Sequence, residues 1–308
     1  MNLLTPEAPP LLVQAPPLAP VIRRRVAALV SLTKPRIALM VLITVGTGFV
    51  LGSAGAVDRP MLLLTLVGTG LVAGGASAWN QYLERSRDAR MRRTAGRALP
   101  TGQLMPWEAA AFGSALVLAG TGMLAAGQHP LGAGIAALTF VLYAFVYTPL
   151  KPRTTLNTAV GAIPGALPVL IGWSSATGKL GVDAWSLFLI VFLWQFPHFL
   201  AIAWIHREDY ARGGHKMLPS ADATGALTAR QAVVYALALL PAGLMPAVLG
   251  LAGPLYFFGS LWLGVYYLAA AVRFWLNVSD STARRLMMAS FLYLPAILLL
   301  LLLGAWPR

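Results

Sequence analysis

The chain has 308 residues, of which 58% are apolar and 11% charged, and its mean hydropathy is +0.71. This composition excludes an ordinary soluble domain, and the absence of cysteine excludes disulfides, thiolate metal sites and cysteine nucleophiles. The net charge of +13 does not indicate nucleic-acid binding, because no basic face with base-reading or stacking groups accompanies it.

The first 25 residues are predicted to form a proline-rich disordered tail, with a single transmembrane domain over 26–308. Prolines recur throughout residues 6–20 and preclude a continuous helix there. Arg23, Arg24 and Arg25 follow the apolar part of this segment, which is the reverse of the order in a signal peptide.

Apolar segments long enough to cross a bilayer as helices follow one another along the rest of the chain. Backbone polar groups in lipid must be satisfied inside each helix or in a closed barrel, and the alternating pattern of barrel strands is absent. The sequence therefore predicts an all-α polytopic membrane protein with nine spans, at about 37–55, 60–80, 106–126, 130–149, 156–174, 184–206, 230–250, 254–276 and 286–305.

Basic residues are distributed unequally between the two sets of loops. Of the 23 lysines and arginines, 20 lie in the N-terminal segment and in alternate loops, and the other loops and the C-terminus hold only Arg59, Lys179 and Arg308. Since basic loops stay on the cytoplasmic side, this predicts an integral membrane protein with its N-terminus in the cytoplasm and its C-terminus outside.

The first long cytoplasmic loop, WNQYLERSRDARMRRTAGR (79–97), begins directly at the end of a span. Asn80, Glu84 and Asp88 are spaced four residues apart, so they share one face if the helix continues past the membrane. Carboxylate and amide oxygens suit Mg²⁺, and the six arginines of the segment suit phosphate oxygens. The alternative is a topogenic loop with ordinary salt bridges along the helix.

The second long cytoplasmic loop also carries acids directly after a span. Glu208 and Asp209 are followed by Lys216, and Gly213 and Gly214 are expected to end the helix so that the chain folds back. We expect the two loops to face each other across a cavity and to hold a diphosphate through metal ions.

Two further segments carry polar groups at or inside the membrane. Lys151 and Arg153 follow the fourth span, either as phosphate ligands or as plain anchors. Four residues are expected to interrupt the fifth span, either beside a cavity or through close helix packing: Gly161, Pro164, Gly165 and Pro168. His198 lies within the sixth span, where an ionisable side chain is a functional candidate; the alternative is a neutral histidine hydrogen-bonded between helices.

The segment WNQYLERSRDARMRRTAGRALPTG resembles the first aspartate-rich motif of the UbiA-type intramembrane prenyltransferases, in the N-x-x-x-E-x-x-x-D form of the protohaem IX farnesyltransferases. YTPLKPRTTLNTAVGAIPGALPVLIGW and WQFPHFLAIAWIHREDYARGGHKMLP resemble the other two signatures of that group. The matches extend over residues 34–220. They imply nine helices around a central cavity that opens to the cytoplasm.

The resemblance implies an enzyme that joins the farnesyl group of farnesyl diphosphate to a vinyl group of haem B, with water, giving haem O. Haem A synthase and the assembly of a haem-copper oxidase would lie downstream. Mg²⁺ on the diphosphate would be held by Asn80, Glu84 and Asp88, with Glu208 and Asp209 as a second acidic site.

The remaining implied roles concern the two substrates. Arg93 and Arg97 would bind diphosphate oxygens, Lys216 would neutralise the leaving group, and His198 would serve the haem. Pro152 separates Lys151 from Arg153, which leaves open which of the two acts on the diphosphate. The rival hypotheses are a UbiA-type enzyme with another acceptor, such as a quinone precursor or a chlorophyll-type acceptor, and a membrane transporter.

Overall fold

The computed structural model describes residues 18–305. Residues 1–17, which hold most of the expected tail, lie outside this range. Helix α1 (Leu18–Leu32) takes up residues 18–25, which were expected to belong to the tail. Pro20 lies in the first turn of α1, where a backbone N–H has no partner within the helix, so the proline is compatible with helix there.

The predicted spans are confirmed: nine helices of residues 18–305 are long and apolar enough to cross a membrane. The only extended pairing in this part of the chain is a bridge between Ala252 and Ala305. The spans are α2 (Pro35–Gly52), α3 (Arg59–Asp88), α4 (Pro106–Ala125), the unit Leu131–Leu150, α7 (Asn157–Thr177), α8 (Val182–Ile205), α11 (Ala226–Val248), α12 (Pro254–Leu276) and α13 (Asp280–Leu303). The unit Leu131–Leu150 comprises α5 (Leu131–Val141), a π-helical segment (Leu142–Tyr147) and α6 (Thr148–Leu150).

Small residues let neighbouring spans approach closely. A methyl group at Gly172 of α7 would overlap the carbonyl of Val45 on α2, and one at Gly48 would overlap the carbonyl of Val169. Gly68 of α3 stands in the same relation to Gly120 of α4. Because lipid tails are as apolar as the helix faces, such backbone contact is a main source of attraction between spans.

Helix α3 is longer than the membrane requires. Asp58 caps its N-terminus by accepting a hydrogen bond from the N–H of Met61 at 3.0 Å, and the helix then runs for 30 residues. At 1.5 Å per residue its length is about 45 Å, against a hydrocarbon core of about 30 Å. The predicted continuation of this helix through Asp88 is therefore confirmed, and Asn80, Glu84 and Asp88 lie in its last third.

The expected interruption of the fifth span is wrong. Helix α7 continues through Pro164 and Pro168, and the side chain of Gln195 on α8 donates a hydrogen bond to the carbonyl of Ala162 at 3.1 Å. Close packing accounts for the glycine of this segment, since a methyl group at Gly165 would overlap the amide of Gln195. Close contact with neighbouring helices, rather than a break in the helix, therefore accompanies the prolines and glycines of this span.

Two short helices shape the second long loop. They are α9 (Arg207–Gly213) and α10 (Leu218–Ala221). Gly214 ends α9 with φ of 72°, a left-handed conformation that glycine adopts without strain. The predicted break at Gly213 and Gly214 is confirmed, and it turns the chain back toward the end of α3. The central cavity stays a prediction.

Candidate functional site

The polar stripe of α3 is buried. Asn80, Glu84 and Asp88 have 2%, 4% and 1% of their surface exposed, and the side-chain amide of Asn80 donates to Oε2 of Glu84 at 2.9 Å. Buried carboxylates are costly unless they are paired and hydrogen-bonded. A stripe that served only to orient the protein in the membrane would lie in water, so its burial indicates a built site.

Each member of the stripe contacts a different basic side chain. Nζ of Lys34 donates to Oδ1 of Asn80 at 3.2 Å. Nζ of Lys151 lies 2.9 Å from Oε1 of Glu84, and Nη1 of Arg97 lies 2.6 Å from Oδ2 of Asp88. These are three separate chain segments, and they bring three cations to one row of oxygens.

The two lysines experience opposite electrostatic environments. Burial alone would lower the pKa of Lys151, but the carboxylate of Glu84 and the oxygen of Tyr147 outweigh it and raise the pKa above its usual range. Burial, with the charges of Arg97 and Lys151, lowers the pKa of Lys34 to about 7. Burial is the main cause, and the charges of Arg97 and Lys151 add to it, so a bound anion would favour the protonated amine of Lys34.

The stripe suits a hard divalent cation in its donor chemistry. It offers two carboxylates and an amide oxygen, and Oε1 of Glu84 is buried without a hydrogen bond of good geometry in the described chain. Among residues 18–305, however, no three acidic, histidine or cysteine side chains gather into a metal cluster. By donor chemistry, the residues that would fit Mg²⁺ are those of the stripe.

The two long loops contact each other directly, and Asp209 is engaged in that contact. The expected cavity between the loops stays a prediction. Its Oδ1 and Oδ2 accept hydrogen bonds from the backbone N–H groups of Arg92 and Arg93 at 2.9 and 3.1 Å, and Arg212 pairs with Oδ1 at 2.5 Å. Burial would raise the pKa of Asp209, but Arg212 and these N–H groups outweigh it, and the pKa lies below its usual value. In this arrangement Asp209 clamps the first loop to α9.

A second contact between the loops lies beside this clamp. The guanidinium of Arg90 donates to the carbonyl of Gly213 at 3.3 Å. A methyl group at Gly213 would collide with the side chain of Met91, so that side chain packs directly on the backbone of Gly213.

Four other predicted site residues are exposed and stand apart from the stripe. Arg93 lies over the ring of Tyr210, with its guanidinium carbon 5.8 Å from the centroid. The side chains of Glu208, Arg153 and Lys216 make no polar contact with the rest of the described chain. Lys216 contributes through its backbone instead, since its N–H donates to the carbonyl of Lys151 at 2.7 Å. Of the pair after the fourth span, Lys151 reaches the stripe and Arg153 does not.

His198 is buried between α8 and α13. Its Nδ1 lies 2.7 Å from Oγ of Ser290, and its ring stacks on Trp194 and meets the edge of Phe291 with centroids 5.2 and 5.1 Å apart. This is the environment of a histidine that joins two helices. Its expected role toward haem stays a prediction.

Sequence reasoning missed three residues of the site. Lys34 was counted only as a topogenic charge, Thr148 accepts the second amide hydrogen of Asn80 at 3.0 Å, and His215 is buried with its Nδ1 unpartnered in the described chain. Burial lowers the pKa of His215 to about 4. A lysine directly before a proline at the start of a span was the available signal for Lys34. For Thr148 and His215 no sequence signal stood out.

Comparison with known proteins adds independent information. The model of the UbiA prenyltransferase family matches residues 41–303. A protoheme IX farnesyltransferase of Solibacter usitatus is 48% identical over 283 residues, which cover 89% of this chain and 97% of the relative.

Solved structures show the same fold at low sequence identity. One, described as digeranylgeranylglyceryl phosphate synthase, superimposes with a TM-score of 0.77 at 16% identity and covers 91% of this chain and 98% of that one. A UbiA homologue from Archaeoglobus fulgidus, bound to GPP and Mg²⁺, has a TM-score of 0.61 at 14% identity and covers 89% of this chain and 99% of that one.

Proposed function

The chain belongs to the UbiA prenyltransferase family, and on this premise we propose that it transfers a farnesyl group from farnesyl diphosphate to a vinyl group of haem B. Water is added in the reaction, and the products are haem O and diphosphate. The observation that carries the proposal is the buried row of Asn80, Glu84 and Asp88 with a cation on each. The acceptor is proposed from the Solibacter usitatus relative, a protoheme IX farnesyltransferase.

The basic residues of the row act on the leaving group. Breaking the bond between C1 of the farnesyl chain and its oxygen separates an allylic cation from diphosphate. Fixed positive charges aimed at that diphosphate stabilise the transition state, because they need no reorganisation as the charge develops. Lys34, Lys151 and Arg97 are the cations nearest to the row, and we assign them this role.

Asn80, Glu84 and Asp88 would hold Mg²⁺ together with the diphosphate. The ion, when bound, supplies further charge stabilisation on the phosphate oxygens. The A. fulgidus homologue with GPP and Mg²⁺ supports a metal on the prenyl diphosphate in this family. For Asp209 we propose a positioning role, in which it holds the loop of Arg92 and Arg93 in place. Glu208 would then be the free carboxylate of the second acidic site.

Three exposed basic residues are further candidates for binding the diphosphate. Arg93, Arg153 and Lys216 are on the loops that surround the row, and their side chains are free to move toward a bound anion. We propose that Arg93 and Lys216 approach the diphosphate when it binds. Arg153 is the weakest of the three candidates, because its neighbour Lys151 already occupies the position beside Glu84.

The allylic cation must be kept from water until the acceptor attacks. A carbon of the haem vinyl group forms the new bond to C1, and the positive charge passes to the adjacent vinyl carbon. Water then adds to that carbon and releases a proton, which leaves the hydroxyl of haem O. We propose an apolar cavity between the spans, open to the side of the two loops, as the place that excludes water during the first step.

The proposed setting is a bacterial inner membrane with the two loops in the cytoplasm. The basic residues of alternate loops support this orientation. The product would be passed to haem A synthase and to the assembly of a haem-copper oxidase.

The experiment is the incubation of the purified protein with farnesyl diphosphate and Mg²⁺ in separate reactions with haem B and with 4-hydroxybenzoate. We expect haem alone to gain the mass of one farnesyl group and one hydroxyl group. Farnesylation of 4-hydroxybenzoate without any change in haem would contradict the acceptor and leave the prenyltransferase assignment intact.

A further inference from the structure

A groove of about 430 Å³ lies between α12 and α13, apart from the row on α3. Its lining combines cations with apolar groups: Tyr266, Arg273, Thr282, Arg284, Arg285 and Met288. Helix α12 packs on α11 and α13, whereas α3 packs on α4, α2 and α7. The groove is therefore a feature of the outer face of the bundle that the proposed reaction does not use.

The three arginines of the groove lack an acidic partner. Arg273, Arg284 and Arg285 are exposed, and none forms an ion pair within residues 18–305. The acid nearest to them in sequence, Asp280, is already paired with Arg207, whose Nη1 lies 2.8 Å from its Oδ1. Three like charges around one groove repel each other, and a bound anion would relieve that repulsion.

The depth of these charges in the bilayer narrows the choice of anion. Arg273 lies in the last turn of α12, and Arg284 and Arg285 lie in the first turns of α13, so all three are at the basic end of the bundle. Tyr266 is seven residues before Arg273, about 10 Å deeper along the helix. Tyr266 and Met288 are 41% and 61% exposed, and these apolar surfaces would lie beside acyl chains.

The geometry points to a binding site for an anionic phospholipid, with its phosphate among Arg273, Arg284 and Arg285 and its acyl chains along Tyr266 and Met288. Basic pockets between transmembrane helices on the cytoplasmic side are suited to acidic headgroups. Arginine is suited to the task because its planar fork donates two parallel hydrogen bonds to a phosphate. Inorganic phosphate shares the headgroup chemistry but lacks the acyl chains.

The test is native mass spectrometry of the full-length protein equilibrated with equal amounts of phosphatidylglycerol and phosphatidylcholine. We expect the wild type to retain phosphatidylglycerol preferentially. Each arginine near an acidic membrane surface contributes about fivefold in affinity, so Arg273→Gln with Arg285→Gln should reduce retention roughly 25-fold.

The matched control is Arg36→Gln with Arg230→Gln. Both residues are exposed, lie outside the groove and form no ion pair in the described part of the chain. This pair removes the same net charge from the same end of the bundle. If the double groove variant has a lower melting temperature than the wild type in phosphatidylcholine, the two single groove variants replace it in the test. Each should retain about fivefold less phosphatidylglycerol than the wild type.

Two outcomes would overturn the proposal. One is equal retention of phosphatidylglycerol by the groove variants and the control pair. The other is displacement of the lipid by inorganic phosphate at constant ionic strength, which would make the groove a site for a soluble anion.

Discussion

Nζ of Lys151 lies 2.9 Å from Oε1 and 3.0 Å from Oε2 of Glu84, so the lysine faces both carboxylate oxygens. The pair joins the end of the fourth span to α3, and both side chains are mostly buried. A buried pair of this kind is costly to break from one side, because the remaining charge has no counterion.

We expect Glu84→Gln to lower the free energy of unfolding by about 3–5 kcal/mol and to remove activity, since Lys151 is left buried without its partner. Glu84→Asp keeps the charge and should retain most of the stability. Thermal unfolding and farnesyl transfer of the two variants provide the measurements. Equal melting temperatures for Glu84→Gln and the wild type would contradict the stabilising role of the pair between Glu84 and Lys151.

Removal of the metal should stop the reaction without unfolding the chain. We expect no turnover in EDTA and recovery on addition of Mg²⁺, because the diphosphate would lose its bridge to the row on α3. Asp88→Asn should raise the Mg²⁺ concentration needed for half-maximal activity at least tenfold. Glu108→Gln is the control, since Glu108 pairs with Arg25 outside the row. Full activity in EDTA would refute the metal role.

Lys34 should bind the diphosphate. A charge-assisted hydrogen bond is worth about 1.5–3 kcal/mol, so Lys34→Met should raise the KM for farnesyl diphosphate about 10- to 100-fold, provided that KM reflects binding. Arg36→Gln, two residues on and exposed, is the matched control. An unchanged KM in Lys34→Met would remove Lys34 from the site.

The same lysine predicts a pH dependence. Its folded pKa of about 7 lies below the usual 10.5, so the unfolded chain binds more protons between these values. The contribution of Lys34 to stability therefore increases as the pH rises through this window. Binding of the diphosphate favours the protonated amine, so the KM for farnesyl diphosphate should rise from pH 6.5 to pH 8.5 in the wild type. The part of the rise in KM that is due to Lys34 should be absent in Lys34→Met. KM values that rise in parallel with pH in the variant and the wild type would contradict the role of Lys34 in binding the diphosphate.

His198 should prove to be a link between helices. We expect His198→Ala to lower the free energy of unfolding by about 1–3 kcal/mol through the unpaired Ser290 and the lost ring contacts, with both KM values within twofold of the wild type. Ser290→Ala should lower stability in the same direction. A higher KM for haem at an unchanged melting temperature would restore His198 to the haem end of the cavity.

The orientation of the chain can be tested by fusions. An odd number of spans puts the chain before the first span and the chain after the last span on opposite sides of the membrane, and the basic loops should be cytoplasmic. A C-terminal alkaline phosphatase fusion should be active, and a fusion at residue 100 should be inactive. The opposite pattern would reverse the assignment of the two membrane sides.

The sequence by itself determined the nine spans, since the length of an apolar helix and the absence of an alternating pattern are local properties. It also determined the row of Asn80, Glu84 and Asp88, because four-residue spacing on a helix fixes a common face. The break after α9 followed from Gly213 and Gly214 for the same local reason.

Only the tertiary structure decided which cation meets which oxygen. Lys34 and Lys151 come from segments 46 and 67 residues away from their partners Asn80 and Glu84, and no local pattern encodes such contacts. Helix α7 continues through its prolines while packed between α2, α5 and α8, and that packing is a property of the tertiary structure. The hydrogen bonds of Asp209 likewise come from backbone N–H groups of a distant loop, and their direction depends on how the helices pack. Its role as a metal ligand stays a prediction.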